Sequence, residues 1–194
     1  MGEVVPLFRH RRPDTAGESS AGDGCIPGNA DDALDSAVLG PGAEAAYEHG
    51  CELESRAERE VRPDAIEALR AGAFLAYQQA VLRDPGHAGA QTNLGRLWHR
   101  SGRLDKAESC YRRAVRIDPE EPVYWFNLGV VLQDRGHASG ALTAYRVTLV
   151  LDPGCRDAHF NMASLLDSAG DRLGAFRHLS AYRQLGGTTQ ARTS

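Results

Sequence analysis

The sequence lacks a long apolar run and has no surplus of positive charge. No stretch of its 194 residues approaches the roughly 18 consecutive apolar residues of a transmembrane helix. The apolar run near the start, VVPLF, is too short for the hydrophobic region of a signal peptide. The net charge of -4 provides no broad basic field for the phosphates of DNA or RNA. These absences predict a soluble cytoplasmic protein that binds neither a membrane nor a nucleic acid.

Motifs for metal ions, cofactors and catalysis are also missing. There is no Cys-x-x-Cys pair and no pair of histidines at metal-ligand spacing, so free thiols are expected instead of a zinc site. A glycine-rich phosphate loop, a nucleophile elbow and a His-Glu-x-x-His motif are all absent. We therefore predict no metal, no cofactor and no enzymatic activity. The four scattered cysteines are Cys25, Cys51, Cys110 and Cys155.

Large apolar residues are scarce in the first part of the chain, which is rich in Gly, Ser, Pro and Asp. Such a composition buries too little surface to offset the entropy lost on ordering, so residues 1–42 are predicted to form a disordered arm. Within the arm, VVPLFRHRR at residues 4–12 is apolar and then basic. It fits either a docking motif for another protein or the ordinary start of a flexible tail.

From residue 43 onward the sequence repeats with a period of 34 residues. The octet QTNLGRLW at residues 91–98 returns as WFNLGVVL at 125–132 and as HFNMASLL at 159–166. Dipeptides of aspartate and proline recur at the same interval, as do single glycines and alanines. These positions are Asp84-Pro85, Asp118-Pro119 and Asp152-Pro153; Gly102, Gly136 and Gly170; and Ala73, Ala107, Ala141 and Ala175.

Within each period the apolar residues are spaced by three and four, which is typical of helices. Each unit is therefore predicted to contain two helices. The glycines at 102, 136 and 170 stand where a first helix ends in a left-handed residue. The small residues Gly95, Gly129 and Ala163 leave room for a neighbouring helix to approach closely.

These recurring residues resemble the tetratricopeptide repeat, whose 34-residue pattern is W-x2-L-G-x2-Y followed by A-x3-F and a proline. Two units match most of its positions, and the last, 156–189, fits loosely with Gly187 in place of the proline. The matching residues are Leu94, Gly95, Trp98, Ala107, Tyr111, Ala114 and Pro119 in 88–121, and Trp125, Leu128, Gly129, Ala141, Tyr145 and Pro153 in 122–155.

The resemblance implies an all-α, right-handed superhelical solenoid of about four antiparallel helix pairs. Its repeats are expected near 43–87, 88–121, 122–155 and 156–186, with 187–194 as a flexible tail. The first repeat holds about ten extra residues between Cys51 and Ala73, in a charged insertion that contains Pro63. Because proline is favoured at the first position of a helix, the second helix of this repeat is predicted to begin near Pro63.

In this family the first helix of each pair lines a concave groove, so the resemblance also implies a binding surface. An asparagine recurs on these helices, and its amide can pair with the backbone of an extended peptide. The alternative is that asparagine before Leu-Gly is only family consensus. The predicted peptide-binding residues are Asn93, Asn127, Asn161, Arg96, His99, Arg100, Phe126, Asp134, Phe160 and Asp167.

Charges along the predicted groove are unevenly distributed. Arg96, His99 and Arg100 are basic, whereas Asp134 and Asp167 are acidic. This pattern favours a peptide with an acidic end near the second repeat and a basic end near the fourth.

The pattern predicts a noncatalytic adaptor that binds a protein segment in its groove. The alternative is a structural module that self-associates through an end of the solenoid. Position 183 is Arg, whereas the equivalent Val81, Val115 and Leu149 are apolar, which predicts a polar cap on the last helix and a monomer. Phe176 is expected to remain there as an exposed aromatic residue with no apolar patch around it.

Overall fold

The computed structural model describes residues 42–190. For residues 187–190 it describes the backbone alone. The predicted arm, including residues 4–12, lies outside the described residues except for Gly42, and so do residues 191–194. α-Helix is the only regular secondary structure in the described part of the chain, as predicted. Its helices are α1 (Ala43–Arg59), α2 (Pro63–Arg83), α3 (Ala88–Arg100), α4 (Leu104–Ile117), α5 (Pro122–Asp134), α6 (Ala138–Leu151), α7 (Arg156–Ser168) and α8 (Arg172–Gln190).

The first helix of each of the last three pairs ends in the same way. Gly102, Gly136 and Gly170 have φ values of 74°, 77° and 84°, in the left-handed region that suits glycine. Each stands in a pair of backbone bonds that satisfies carbonyls at the helix end, as in Gly102 N to His99 O at 2.9 Å and Arg103 N to Trp98 O at 2.9 Å. The predicted role of these glycines is confirmed.

The Asp-Pro dipeptides end the second helices. Asp84, Asp118 and Asp152 are the C-cap residues of α2, α4 and α6, and all three have an extended backbone, as the following proline requires. Their carboxylates accept hydrogen bonds from the backbone N–H two residues later, at 2.8 Å, 3.1 Å and 2.9 Å respectively. The dipeptide therefore stops the helix and closes the turn.

The described helices form two compact units, residues 42–90 and residues 91–190, and the boundary falls inside α3. In the first unit α1 packs against α2, and α2 begins at Pro63 as predicted. The extra residues also lengthen α1, which continues to Arg59. A single solenoid over 43–186 stays a prediction.

Glycines on first helices face fully buried tyrosines on second helices. A Cβ placed on Gly50 would lie 2.6 Å from the ring of Tyr77, and one on Gly129 would lie 2.5 Å from the ring of Tyr145. In the first helix pair, Gly50 therefore occupies the position that corresponds to Gly129. The neighbouring Cys51, from which the extra residues were counted, does not. These approaches confirm that the small residues serve packing between helices.

An ionic cluster joins α4 to the end of α5 within the second unit. Arg135, just after α5, contacts Asp105 at 2.6 Å and also Glu108, which Arg112 contacts at 2.7 Å. Burial raises the pKa of the Glu108 carboxyl, but hydrogen bonds from Arg112 and Arg135 and their charges bring it below its usual value. The cluster fixes the position of α5 relative to the preceding pair.

The last helix differs from the prediction in two respects. α8 continues to Gln190, four residues beyond the expected end of the repeats at 186. Leu173 is 61% exposed and Phe176 is 64% exposed, so Phe176 is not the only apolar residue left open on this helix. Arg183 is exposed, as a polar cap requires. The monomeric state stays a prediction.

Candidate functional site

In residues 91–190 the first helices lie side by side. α3 meets α5 through His99 Nε2 and Asp134 Oδ2, which are 2.5 Å apart. α5 meets α7 around a cavity that both helices line. We call the exposed and half-buried residues on the shared face of these helices the groove surface: Arg96, His99, Arg100, Val123, Asp134, Asp157, Phe160, Ser164, Asp167 and Ser168.

The three asparagines are not on the groove surface. Asn93, Asn127 and Asn161 are each 0% exposed, so the expectation that their amides face a ligand is wrong in this structure. Asn161 Nδ2 donates to the hydroxyl of Tyr145 at 3.2 Å, and that hydroxyl donates to Gln133 Oε1 at 2.9 Å. Asn161 thereby connects α7 to α6 and, through Tyr145, to α5. A buried amide needs such partners, which gives the asparagine a packing role.

The predicted aromatic residues occupy different depths. Phe126 is 0% exposed, and its ring centroid lies 5.8 Å from that of Tyr145, so it belongs to the core. Phe160 is half-buried and packs against Tyr182 with a centroid separation of 5.3 Å. Of the two, Phe160 is the more accessible to a ligand, whereas Phe126 borders the groove only at the base of a cavity.

The predicted charge asymmetry is only partly present. His99 and Asp134, assigned to the basic and acidic ends, contact each other across adjacent repeats, so they do not form separate ends of the groove. Arg100 on α3 and Asp167 on α7 are both exposed and remain at opposite sides of this pair. Arg96 is half-buried, with its Nε in the interior.

A cavity of about 290 Å³ opens between α5, the end of α6 and the start of α7. Pro122 and Val123 supply half-buried apolar walls, and Phe126 and Thr148 lie fully buried at its base. Its volume is at the lower end of the range for small-molecule pockets and accommodates one bulky side chain. The remaining lining residues are Asp152, Gly154, Cys155, Arg156 and Asp157.

At the rim of this cavity, the negative charge of Asp157 is not neutralised by a direct contact. The Arg156 guanidinium lies 4.0 Å from the centroid of the Tyr182 ring, and its Nε donates to Tyr182 O at 3.3 Å, which directs it toward α8. Burial raises the pKa of the Asp157 carboxyl, and the nearby Arg156 charge opposes this. Within residues 42–186 no hydrogen bond or ion pair reaches the Asp157 side chain. A carboxylate partly withdrawn from water without a direct partner is stabilised by a cation, so the rim favours a basic ligand group.

Two histidines join α7 to α8 behind the groove surface. His159 Nε2 lies 3.3 Å from Pro153 O, so this nitrogen carries the proton and Nδ1 is an acceptor. His178 Nδ1 lies 2.9 Å from His159 Nδ1 and therefore donates to it when both rings are neutral. Burial, followed by His159 and Arg146, lowers the pKa of His178.

This pair makes the stability of residues 91–190 sensitive to acid. The folded chain binds fewer protons at His178 than the unfolded chain, so stability is complete above the ordinary histidine pKa of about 6.5 and falls as the pH drops toward the lower folded value. Melting temperatures of the full chain between pH 8 and pH 5 are expected to fall less steeply for His178→Gln than for the wild type. The exposed His137→Gln is the control and should retain the wild-type slope, whereas equal slopes for all three proteins would contradict the assignment.

Sequence reasoning missed the cavity and the hydrogen bonds of Tyr145. Val123 and Asp157 lie just before the octets that the repeat pattern singled out, about one helical turn before Phe126 and Phe160 and on the same face. Following that face one turn toward the start of each helix would have found them. No sequence signal identified Gln133 as the partner of the tyrosine hydroxyl.

Some features are absent from the described residues. Between residues 42 and 190, no helix is both long enough and apolar enough to cross a membrane. In the same part of the chain, no cluster of three or more His, Cys, Asp or Glu side chains is arranged to hold a metal ion.

Comparisons with known proteins agree on the repeat. Residues 62–122 match the family model described as Tetratricopeptide repeat. No curated protein shows a significant sequence match. A crystal structure of MamA aligns with a TM-score of 0.68 at 17% identity, covering 83% of this chain and 86% of that one. PilF of Pseudomonas aeruginosa aligns with a TM-score of 0.63 at 19% identity, covering 74% of this chain and 60% of that one. At these identities the likeness shows the fold alone.

Proposed function

We propose that this chain, which belongs to the tetratricopeptide repeat family, is a noncatalytic adaptor that binds an extended segment of a partner protein along the groove surface. The repeat fold in general is that of a protein–protein interaction scaffold. The proposed ligand places one bulky apolar side chain in the cavity between α5 and α7. Basic side chains beside it lie against the acidic face of α7.

The observation that carries the proposal is an apolar cavity beside the α7 carboxylates of Asp157 and Asp167, which form no ion pair with any side chain of residues 42–186. Pro122 and Val123 offer apolar contact, and Asp157 stands at the rim. Asp167 lies ten residues further along α7, which corresponds to about 15 Å on the same face. An extended segment covers that distance with four or five residues at about 3.3 Å each.

The remaining predicted contacts retain a place in this proposal, with altered roles. Phe160 lies between Asp157 and Asp167 and provides apolar contact in the middle of the surface. Arg100 favours an acidic ligand residue beyond the His99–Asp134 pair. The asparagines act indirectly, because they hold the helices that carry these side chains in place.

Peptide selection tests this function without knowledge of the natural partner. Random extended peptides displayed on phage are selected on the full wild-type chain, and their affinities are then measured for a variant with Asp157→Lys and Asp167→Lys. Because each carboxylate becomes a repulsive cation, selected peptides are expected to bind at least tenfold more weakly, which corresponds to about 1.4 kcal/mol.

The matched control carries Glu52→Lys and Glu67→Lys, two exposed residues of the first unit. It makes the same change in net charge and should retain wild-type affinity. Melting temperatures check that both variants fold. If the α7 variant and the control hold the selected peptides equally well, the groove surface is not the binding site.

A further inference from the structure

We propose that the groove surface is occupied by a segment of the chain itself, residues 4–12, with the sequence VVPLFRHRR. This inference rests on the proposed function, because it assigns an internal ligand to the same surface. The segment would have to be displaced before a partner protein could bind. The adaptor would therefore be autoinhibited.

The chemistry of the segment matches that of the surface. The cavity between α5 and α7 accepts one bulky apolar side chain, and its rim and the rest of α7 offer the carboxylates of Asp157 and Asp167. Leu7 and Phe8 are bulky and apolar, and the basic residues 9–12 follow directly. With Phe8 in the cavity, the arginines that follow it lie along α7 toward Asp167.

No other segment of residues 1–41 has this combination. All the arginines of that region lie between positions 9 and 12, and residues 13–41 contain no lysine or arginine. Those residues do contain six Asp and Glu side chains, which an acidic α7 surface would repel. Charge complementarity therefore selects residues 4–12 over the apolar residues near position 39.

A long connection joins the segment to the first helix. Twenty-nine residues, 13–41, separate the segment from Gly42, which precedes α1. Their Gly-, Ser- and Asp-rich composition is typical of linkers whose root-mean-square span would be about 30 Å at this length. Fully extended, the same 29 residues reach about 100 Å. Such a tether gives the segment an effective concentration on the order of millimolar, so even a weak contact would be populated.

Photocrosslinking of the full-length chain tests the assignment. Phe8 is replaced by the photoreactive p-benzoylphenylalanine, and the crosslinked peptides are identified by mass spectrometry at low protein concentration. The expected product is a crosslink within one chain to residues 122–126 or 152–160. The same replacement at Leu39 is the control and should give at least fivefold less of that product.

Three results would overturn the proposal. Crosslinks from position 8 that fall outside the groove surface would show that the segment does not bind there. Equal yields from positions 8 and 39 would show that the groove surface does not prefer residues 4–12 to other parts of residues 1–41. A product with the mass of two chains would assign the groove to a second copy instead.

The thiol of Cys155, which lines the cavity, provides an independent measurement on the full chain. Alkylation by iodoacetamide is followed at each cysteine by peptide mass mapping, with Cys51 as the internal reference because it lies on α1. Leu7→Asp with Phe8→Asp is expected to speed alkylation of Cys155 at least threefold and to leave Cys51 unchanged. Unchanged rates at Cys155 would refute the occupancy. If the selected peptides still depend on Asp157 and Asp167, only the internal ligand fails and the binding function stands.

Discussion

Replacing Tyr145 with alanine is expected to lower the free energy of unfolding by about 3–5 kcal/mol, the range for removing a large buried aromatic side chain. Tyr145 is fully buried on α6, packs 5.8 Å from the Phe126 ring, and hydrogen-bonds to both Gln133 and Asn161. The substitution leaves a cavity at the meeting point of α5, α6 and α7 and removes both bonds. Urea denaturation of the full chain, followed by circular dichroism, measures the loss.

Tyr145→Phe is the matched variant, because it keeps the ring and removes the hydroxyl alone. Its expected cost is about 1–2 kcal/mol, since the buried amide of Asn161 and the half-buried amide of Gln133 each lose a partner. The difference between the two variants then reports the packing contribution. A phenylalanine variant as stable as the wild type would show that the hydroxyl does not connect the repeats.

Replacing Gly129 with alanine is expected to destabilise the chain by about 1–3 kcal/mol, although alanine is the better helix former by about 1 kcal/mol. The added Cβ would lie 2.5 Å from the Tyr145 ring, and that ring is enclosed and unable to retreat. Overpacking therefore outweighs helix propensity at this position. The midpoint of urea unfolding of the full chain measures the change.

Gly140 on α6 offers a control with the opposite sign. A Cβ there would lie 3.4 Å from Leu132 Cδ1, which is ordinary van der Waals contact, so Gly140→Ala should raise stability by up to about 1 kcal/mol. The prediction is that the two substitutions move the unfolding midpoint in opposite directions. Shifts of the same sign and size would mean that the tyrosine ring does not limit the approach of the helices.

The sequence predicted the helix ends because they depend on local chemistry. A left-handed residue at Gly136 and a stop at Asp152-Pro153 follow from steric properties of one or two residues, wherever they occur. The start of α2 at Pro63 is predictable for the same reason. These features required no knowledge of the neighbouring helices.

The extent to which a side chain is buried could not be predicted in the same way, even where its helix face was known. The helical period predicted that Asn161 and Phe160 both face the groove, but the packing of the neighbouring helices decides that the first is buried and the second half-exposed. The same holds for His99 and Asp134. Their contact depends on the distance between two helices 34 residues apart, which the spacing within either helix does not contain.

Nuclear magnetic resonance of the labelled full chain shows whether the groove surface of residues 91–190 binds an extended segment. Backbone amide shifts are followed while one of the selected peptides is added. We expect the largest changes in residues 122–126 and 152–168, around the cavity and along α7. Largest changes in α1 and α2, or on the exposed side of α4, would contradict it.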